Sequence, residues 1–332
     1  MCKIESPLLN SKQFWSAPKW ECSNVLANNR QYQRHRINRS LNHIRDHLTG
    51  HLNLDQLADA ACLSKYHFIR VFHQHLGETP NQFISRRRLE CATAKLIFRP
   101  DCSITDIALD SGFSGSDVFA RAFRAKYRRA PRSIKNADLS IFEELGQGCT
   151  QKYEIFKPGH EVLPIESSSL SVNIEFKPAY YVCYMRHIGS FGDAGNSITN
   201  TFTKLQDWAR RRELLKPTSS FIGISHNDSN ATPAGRCIYD AGMVMDDEIA
   251  EDDQVSVQLV PGGYYAILDV KCIPQMLNRY WDWFLGDWFS QSNLKRRKGI
   301  YYEYFPQSGS LPVKAIYGAQ LCAPIENPNS PL

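Results

Sequence analysis

Apolar residues fall into a helical rhythm from Ile37 onward: Leu41, Ile44 and Leu48 follow at i, i+3 and i+7, and Gly50 closes the run as a C-terminal cap. Ahead of it, residues 1–33 are polar, carry two prolines and isolated Trp15 and Trp20, and keep no period, so this segment is expected to be disordered. After Gly50 one pattern is written twice. LNLDQLADAACLSKYHFIRVFHQHLGETPNQFI lies over CSITDIALDSGFSGSDVFARAFRAKYRRAPRSI, with Leu54 on Ile104, Leu57 on Ile107, Ala58 on Ala108 and Leu63 on Phe113. One inserted residue later, Phe68 falls on Phe119, Arg70 on Arg121, Phe72 on Phe123 and Pro80 on Pro131. Each copy predicts a short helix capped by Asn53 or Ser103, a turn through Cys62-Leu63 or Gly112-Phe113, and a second helix capped by Ser64 or Ser114. Ala58 and Ala108 stand where two such helices cross closely, which is the helix-turn-helix pattern. Between the copies, QFISRRRLECATAKLIF predicts one connecting helix of about four to five turns. Its stripe is Phe83, Leu89, Ala92, Leu96 and Ile97, leaving Arg86, Arg87 and Arg88 for solvent or phosphate.

The rhythm then changes. Residues 137–169 mix Gly, Pro, Ser and charge and read as a linker. Alternation of period two starts at Leu170 with SVNIEFKPAYYVCYMRHIG, followed by a helix, ITNTFTKLQDWARRREL, and the strands FIGISH and RCIYDAGMVM. A second round runs VSVQLVPGGYYAILDV, helix PQMLNRYWDWFLGDWFSQS, and strands GIYYEYF and VKAIYGAQL, with Pro178-Ala179-Tyr180-Tyr181 echoed by Pro261-Gly262-Gly263-Tyr264-Tyr265. The expected fold class is therefore multidomain: an all-α double helix-turn-helix domain over 34–136, then an α+β domain over 170–325 made of two pseudo-symmetric strand-helix-strand repeats. Two such halves leave a groove between them that suits a small ligand.

Composition narrows this further. A chain of 332 residues suits two domains, and 42% hydrophobic with 22% charged residues excludes global disorder and fibrous repeats. No run approaches the ~18 apolar residues of a membrane span, and the N-terminus has no apolar signal core. A cytoplasmic protein with no membrane partner is expected. The 10 cysteines include no C-x-x-C pair, which argues for free thiols over a disulfide framework or zinc site. His43, His47 and His51 run at i, i+4 and i+8 without an evident third ligand type nearby, so neither a metal nor any other cofactor is expected. Charge is split: residues 30–140 hold 19 Lys and Arg against 10 Asp and Glu, a net of +9, whereas residues 141–332 hold 17 against 22, a net of −5. The basic half is suited to a polyanion.

Helix-turn-helix recognition helices present their first turns to base edges in the major groove. Counted from the cap, Lys65, Tyr66, Ile69 and Arg70 point outward in the first copy, as do Ser116, Asp117 and Arg121 in the second. Arg70 and Arg121 are the best base readers because a guanidinium pairs bidentately with guanine, and Asp117 either accepts from cytosine or orients Arg121. Arg86, Arg87, Arg88, Arg124, Lys126, Arg128 and Arg129 are candidate phosphate contacts, which set affinity without sequence choice.

The doubled spacing LA-x4-[LF]-S…F-x-R-x-F…P over residues 37–136 closely resembles the AraC/XylS family of bacterial transcription regulators. The second copy departs from that pattern at Tyr127-Arg128-Arg129, where the family usually has a glycine after the aromatic residue. The resemblance implies a bacterial, nucleoid-associated protein that acts as a monomer or weak dimer. It would bind an asymmetric double-stranded DNA site across two successive major-groove faces, with RNA polymerase as a further partner.

The succession P-G-G-Y-Y-A, a Trp-rich helix and Y-Y-E-Y-F over about residues 168–325 looks like the gyrase-inhibitory-protein-like effector domain that occurs fused to AraC-type domains in multidrug sensors. That likeness implies a small-molecule effector, often a bulky or cationic amphiphile, with a buried glutamate as counter-ion. Only Glu303 matches the glutamate. Strand alternation puts Tyr301, Glu303 and Phe305 on one face and Tyr302 and Tyr304 on the other. A carboxylate between aromatic rings holds a cation by charge and ring face together; the competing reading is a surface glutamate on an edge strand. Trp283, Tyr181, Tyr184 and Tyr265 are candidate walls, or plain core. The acidic run from Asp246 to Asp253 reads as a solvated loop. The expected function is a ligand-responsive regulator and not an enzyme. The alternatives are a ligand-blind regulator whose C-terminal half meets a protein, and a hydrolase in which a glutamate and a tyrosine activate water.

Overall fold

The computed structural model describes residues 30–99, 101–135, 170–189, 197–227, 231–252, 254–272, 276–306 and 317–328, with 137, 141 and 145 besides. The first helix, α1, is Arg30–His47. It begins inside the segment whose composition suggested disorder through residue 33, because Arg30 and its neighbours continue the helix that Ile37, Leu41 and Ile44 bury. Residues 1–29, and most of the expected linker, lie outside the described residues.

Each helical module forms as its caps suggest. In the first, α2 (Leu54–Ala60) starts with a capping box in which Asn53 and Gln56 bond reciprocally, and α3 (Lys65–Leu76) follows Ser64. In the second, α5 (Ile104–Asp110) has the same box between Ser103 and Asp106, and α6 (Ser116–Tyr127) follows. Two expected caps differ: Gly115, not Ser114, precedes α6, and Ser64 makes no side-chain cap bond. Leu57, Ala58, Phe68, Val71 and Phe72 are buried in the first module. Ile107, Ala108, Phe113, Phe119 and Phe123 are buried in the second, against Leu89, Ala92 and Leu96 of the connecting helix α4 (Pro80–Phe98).

Both modules need a left-handed residue at two places, and each supplies glycine at only one. Cys62 (φ 50) and Gly77 (φ 68) serve the first module, Gly112 (φ 87) and Arg128 (φ 58) the second. Gly77 and Arg128 each donate their backbone N–H to the carbonyl four residues back, at 2.8 and 2.9 Å. The departure at Arg128 therefore keeps the helix-ending geometry at the cost of an unfavourable φ for a residue with a β-carbon.

Eight strands form one antiparallel sheet: β1 (Val172–Lys177), β2 (Tyr180–Ile188), β3 (Phe221–Ser225), β4 (Ile238–Met245), β5 (Ser256–Val260), β6 (Gly263–Cys272), β7 (Tyr302–Phe305) and β8 (Tyr317–Pro324). Their order is β1-β6-β8-β7-β3-β4-β2-β5. Helix α7 (Ile198–Arg211) joins β2 to β3, and its Phe202, Leu205, Trp208 and Ala209 pack on one face with Phe221, Tyr239, Phe305 and Leu321. Helix α8 joins β6 to β7 and packs in the same cluster; it runs Leu277–Trp283, continues through a π-helical stretch Phe284–Trp288, and ends at Phe289–Gln291. The other face carries Val182, Tyr184, Ile222, Tyr265, Ile267 and Tyr302. No helix among the described residues is long and apolar enough to cross a membrane.

The described residues divide into two compact units: one of Arg30–Ile44 with Leu52–Pro80, the other of Arg45–His51 with those from Asn81 on. The second unit thus contains α4 beyond Pro80, the second helical module and the whole sheet.

Candidate functional site

On α3, Lys65, Tyr66 and Arg70 are exposed, Tyr66 by 81%, and Ile69 is half-buried. Lys65 Nζ lies 3.0 Å from Asp55 Oδ1 across an exposed pair, an interaction of little weight in water. His67, beside them, has its pKa lowered by burial and by the charges of Arg70 and Arg36. On α6, Asp117, Arg121, Arg124 and Lys126 are exposed, with Arg128 just beyond, and Ser116 is half-buried. Phe68, Val71 and Phe72 of α3 and Phe119, Phe123 and Tyr127 of α6 are buried, so the outward edges carry these polar side chains together with Tyr66 and Val118.

The arginines of α4 depart from the expectation of a solvent-facing triplet. Arg86 and Arg87 are each 7% exposed. Arg86 Nη1 donates to Glu90 Oε1 at 2.7 Å and Arg87 Nη1 to Glu90 Oε2 at 2.7 Å, while the Arg86 guanidinium lies 5.0 Å from the Phe83 ring centroid. Glu90 sits at i+4 and i+3 from the two arginines and draws both charges inward. Arg88 donates through Nε to the Leu48 carbonyl at 2.8 Å and through Nη2 to the Gly50 carbonyl at 2.7 Å, satisfying carbonyls after the end of α1. A β-carbon on Gly112 would stand 2.8 Å from that Nε, so this glycine makes room for the arginine as well as the turn.

In the sheet domain, Glu303 is buried on β7 and accepts from the Tyr239 hydroxyl at 2.6 Å and from Trp281 Nε1 at 3.2 Å. Burial pushes its carboxyl up to about 7, against the pull of these two donors. The same burial, with the Glu303 charge, drives the Tyr239 hydroxyl well above its ordinary value. Gly223 of β3 pairs with Glu303 in register, and its missing side chain leaves the space that the Tyr239 hydroxyl occupies. Tyr301, Phe305 and Trp283 belong to the aromatic cluster on this side of the sheet. Tyr184 and Tyr265 do not: strand alternation places them with Tyr302 on the other face, so the expected set of walls is divided in two. The direct partners Tyr239 and Trp281 were not singled out by the sequence pattern.

A second buried polar group lies on β4 next to Tyr239. Asp240 is fully buried and pairs with Arg186 of β2 at 2.6 Å and 2.7 Å, with His226 Nε2 at 2.7 Å, and with Gln258 Nε2 at 3.1 Å. Burial opposes its ionisation, but Arg186 and His226 hold it well below the usual carboxylate range. Burial also pushes His226 down to about 4. A charged residue inside the apolar run IYDAGMVM was the available sequence signal. The acidic run is only partly the solvated loop expected: Asp252 accepts from Trp208 Nε1 at 2.8 Å and from the backbone N–H groups of Gln254 and Val255 at 2.8 and 2.9 Å, and pairs with Arg212.

Residues 170–315 match the family profile of the GyrI-like small molecule binding domain, and residues 57–137 match that of a helix-turn-helix domain. Among curated relatives, an HTH-type transcriptional regulator of Haemophilus influenzae is 31% identical over 102 residues, covering 31% of this chain and 34% of its own length. The HTH-type transcriptional activator RhaS of Escherichia coli O157:H7 is 34% identical over 110 residues, covering 33% and 39%. The chain therefore spans little more than a third of the length of these relatives. Among solved structures, an AraC-type transcriptional regulator from Chromobacterium violaceum aligns with a TM-score of 0.29 at 25% identity, covering 31% of this chain and 91% of that one. Its residues 57–137 are thus similar to helix-turn-helix domains and its residues 170–315 to GyrI-like small molecule binding domains.

Proposed function

We propose that the chain is a transcription regulator that reads an asymmetric duplex site through the first two turns of α3 and α6, and that its sheet domain senses a small cationic or amphipathic molecule. The DNA half rests on Arg70 and Arg121, exposed at matching places of two like modules. The ligand half rests on Glu303: its hydrogen-bond donors, Tyr239 and Trp281, are both neutral, and among the described residues no cation pairs with it. A bound cation would supply that charge amid aromatic rings. Arg124, Lys126 and Arg128 serve as phosphate contacts in this reading, whereas Arg86 and Arg87 do not. The protein works as a monomer or weak dimer and meets RNA polymerase on the bacterial nucleoid. The strand order, with β1 on β6 and β5 on β2 at opposite ends of the sheet, supports two pseudo-symmetric repeats.

The test takes duplexes selected from a random pool by the full-length protein and footprints them at low salt, while thermal shift is recorded with tetraphenylphosphonium and a neutral analogue of like shape. Failure to enrich any sequence overturns the DNA half; equal response to cation and neutral analogue overturns the counter-ion. One observation favours a second reading. The 2.6 Å contact between Tyr239 and Glu303 is the geometry that hydrolysis of a reactive small molecule would need, with Glu303 as general base toward water. Turnover of electrophilic probes that stops in Glu303→Gln would establish it.

A further inference from the structure

Tyr239 and Asp240 are consecutive on β4, so their side chains leave opposite faces of the sheet. Tyr239 holds Glu303 at 2.6 Å. Asp240 is the hub of a buried polar network that, within the second compact unit, leaves the sheet and ends on Arg45 and on α4. From Asp240 one branch passes through Gln258, whose Oε1 accepts from Arg45 Nη1 of α1 at 3.0 Å. The other passes through His226, whose backbone carbonyl accepts from Arg87 Nη2 of α4. Arg87 in turn holds Glu90, and Glu90 Oε2 accepts from the Thr232 hydroxyl at 3.0 Å, back in the segment between β3 and β4. Glu90 is 1% and Thr232 0% exposed.

We propose that β4 couples the sheet to the connecting helix: changes at the Tyr239–Glu303 contact on one face are passed through Asp240 on the other to Arg45, Arg87 and Glu90, and hence to α4. This inference rests on the reading of Glu303 as the ligand site. Buried charges cost desolvation and contribute little net stability when compared with apolar packing, but they are intolerant of small displacements. A network of this kind has discrete arrangements, because a carboxylate that loses one buried donor must find another. A ligand that draws Glu303 away from Tyr239 frees the hydroxyl, and the strand that carries it also carries the hub. Coupling of this sort is reciprocal, so a disturbance at Glu90 must reach Tyr239 equally.

The test needs neither ligand nor operator. Hydrogen–deuterium exchange is measured on the full chain as wild type, as Tyr239→Phe, which removes only the hydroxyl, and as Thr232→Val, which removes the bond to Glu90. Tyr239→Phe is expected to speed exchange across Ile84–Thr93 by roughly twofold or more, beyond any change in Phe119–Tyr127, and Thr232→Val to do the same across β4. Exchange that changes only in β3, β7 and α8, or that rises uniformly along the chain, overturns the proposal. Should Tyr239→Phe fail to fold, Glu303→Gln disturbs the same contact and is judged by the same peptides. A protein that shows this coupling yet binds no cationic amphiphile refutes the ligand reading and leaves the coupling standing; one that binds the cation without the coupling does the reverse.

Discussion

The hydroxyl of Tyr239 fills the volume that a side chain on residue 223 would need: a β-carbon on Gly223 would lie 1.8 Å from that oxygen and 2.9 Å from Glu303 Oε2. Three strands meet at this point, because Gly223 of β3 pairs with Ala241 of β4 on one side and with Glu303 of β7 on the other. The buried glutamate is held by a tyrosine reaching across a glycine.

Gly223→Ala is accordingly expected to destabilise the sheet domain by about 1–3 kcal/mol, the range for overpacking a filled core. Denaturant unfolding of the single and double variants checks this. Combined with Tyr239→Phe the cost should fall short of the sum of the two single costs, since both act on the same contact.

The carboxyl of Glu303, raised from an ordinary 4.5 to about 7, takes up protons in the folded chain where the unfolded chain has lost them. Its contribution to stability therefore declines as pH rises from about 4.5 to about 7 and is level above that. Glu303→Gln should flatten that part of the stability curve and stabilise the protein at pH 8 by up to roughly 3 kcal/mol, at 1.36 kcal/mol per pH unit. Thermal unfolding across pH 4 to 8, at about one-unit steps, would show it. A greater stability of the wild type at pH 8 than at pH 5, abolished in the variant, would contradict this assignment. Binding of a cationic ligand should strengthen over the same interval and release a proton.

Arg128 ends α6 with φ 58, where the first module uses Gly77. Arg128→Gly should raise stability by about 0.5–1 kcal/mol by removing the β-carbon clash. If the side chain meets a phosphate, the same variant lowers the salt dependence of DNA binding by about one unit of slope. Unfolding and salt titration of a selected duplex measure the two effects separately.

Arg70→Ala and Arg121→Ala should each cost about 1–3 kcal/mol against the selected duplex and relax the preference at one base position, whereas Arg124→Ala weakens all sequences alike. Repeating the selection with each variant distinguishes the two patterns.

Removing Glu90 leaves Arg86 and Arg87 buried without their carboxylate, so Glu90→Ala should cost about 3–5 kcal/mol, the range for a broken buried pair. Lys65→Ala, which breaks the exposed contact with Asp55, should cost under about 1 kcal/mol. Chemical denaturation of the two variants compares them directly.

The helices of the doubled module, their two capping boxes and most of the strands were legible along the chain, because each depends on residues three, four or two apart. Helix periodicity and strand alternation are local facts, and they assigned the right neighbours to Tyr301, Glu303 and Phe305. What the folded chain alone decided were contacts across long separations. Tyr239 reaches Glu303 from 64 residues away, and Thr232 reaches Glu90 from 142. The arginines at 86 and 87 look solvent-facing on an isolated helix; Glu90 of the same helix pairs with both, and the His226 carbonyl and the Thr232 hydroxyl, far along the chain, complete the surroundings that bury this group. A polar side chain is buried when its charge and hydrogen bonds are answered, and the groups that answer are chosen by strand register and domain packing, not by spacing in sequence.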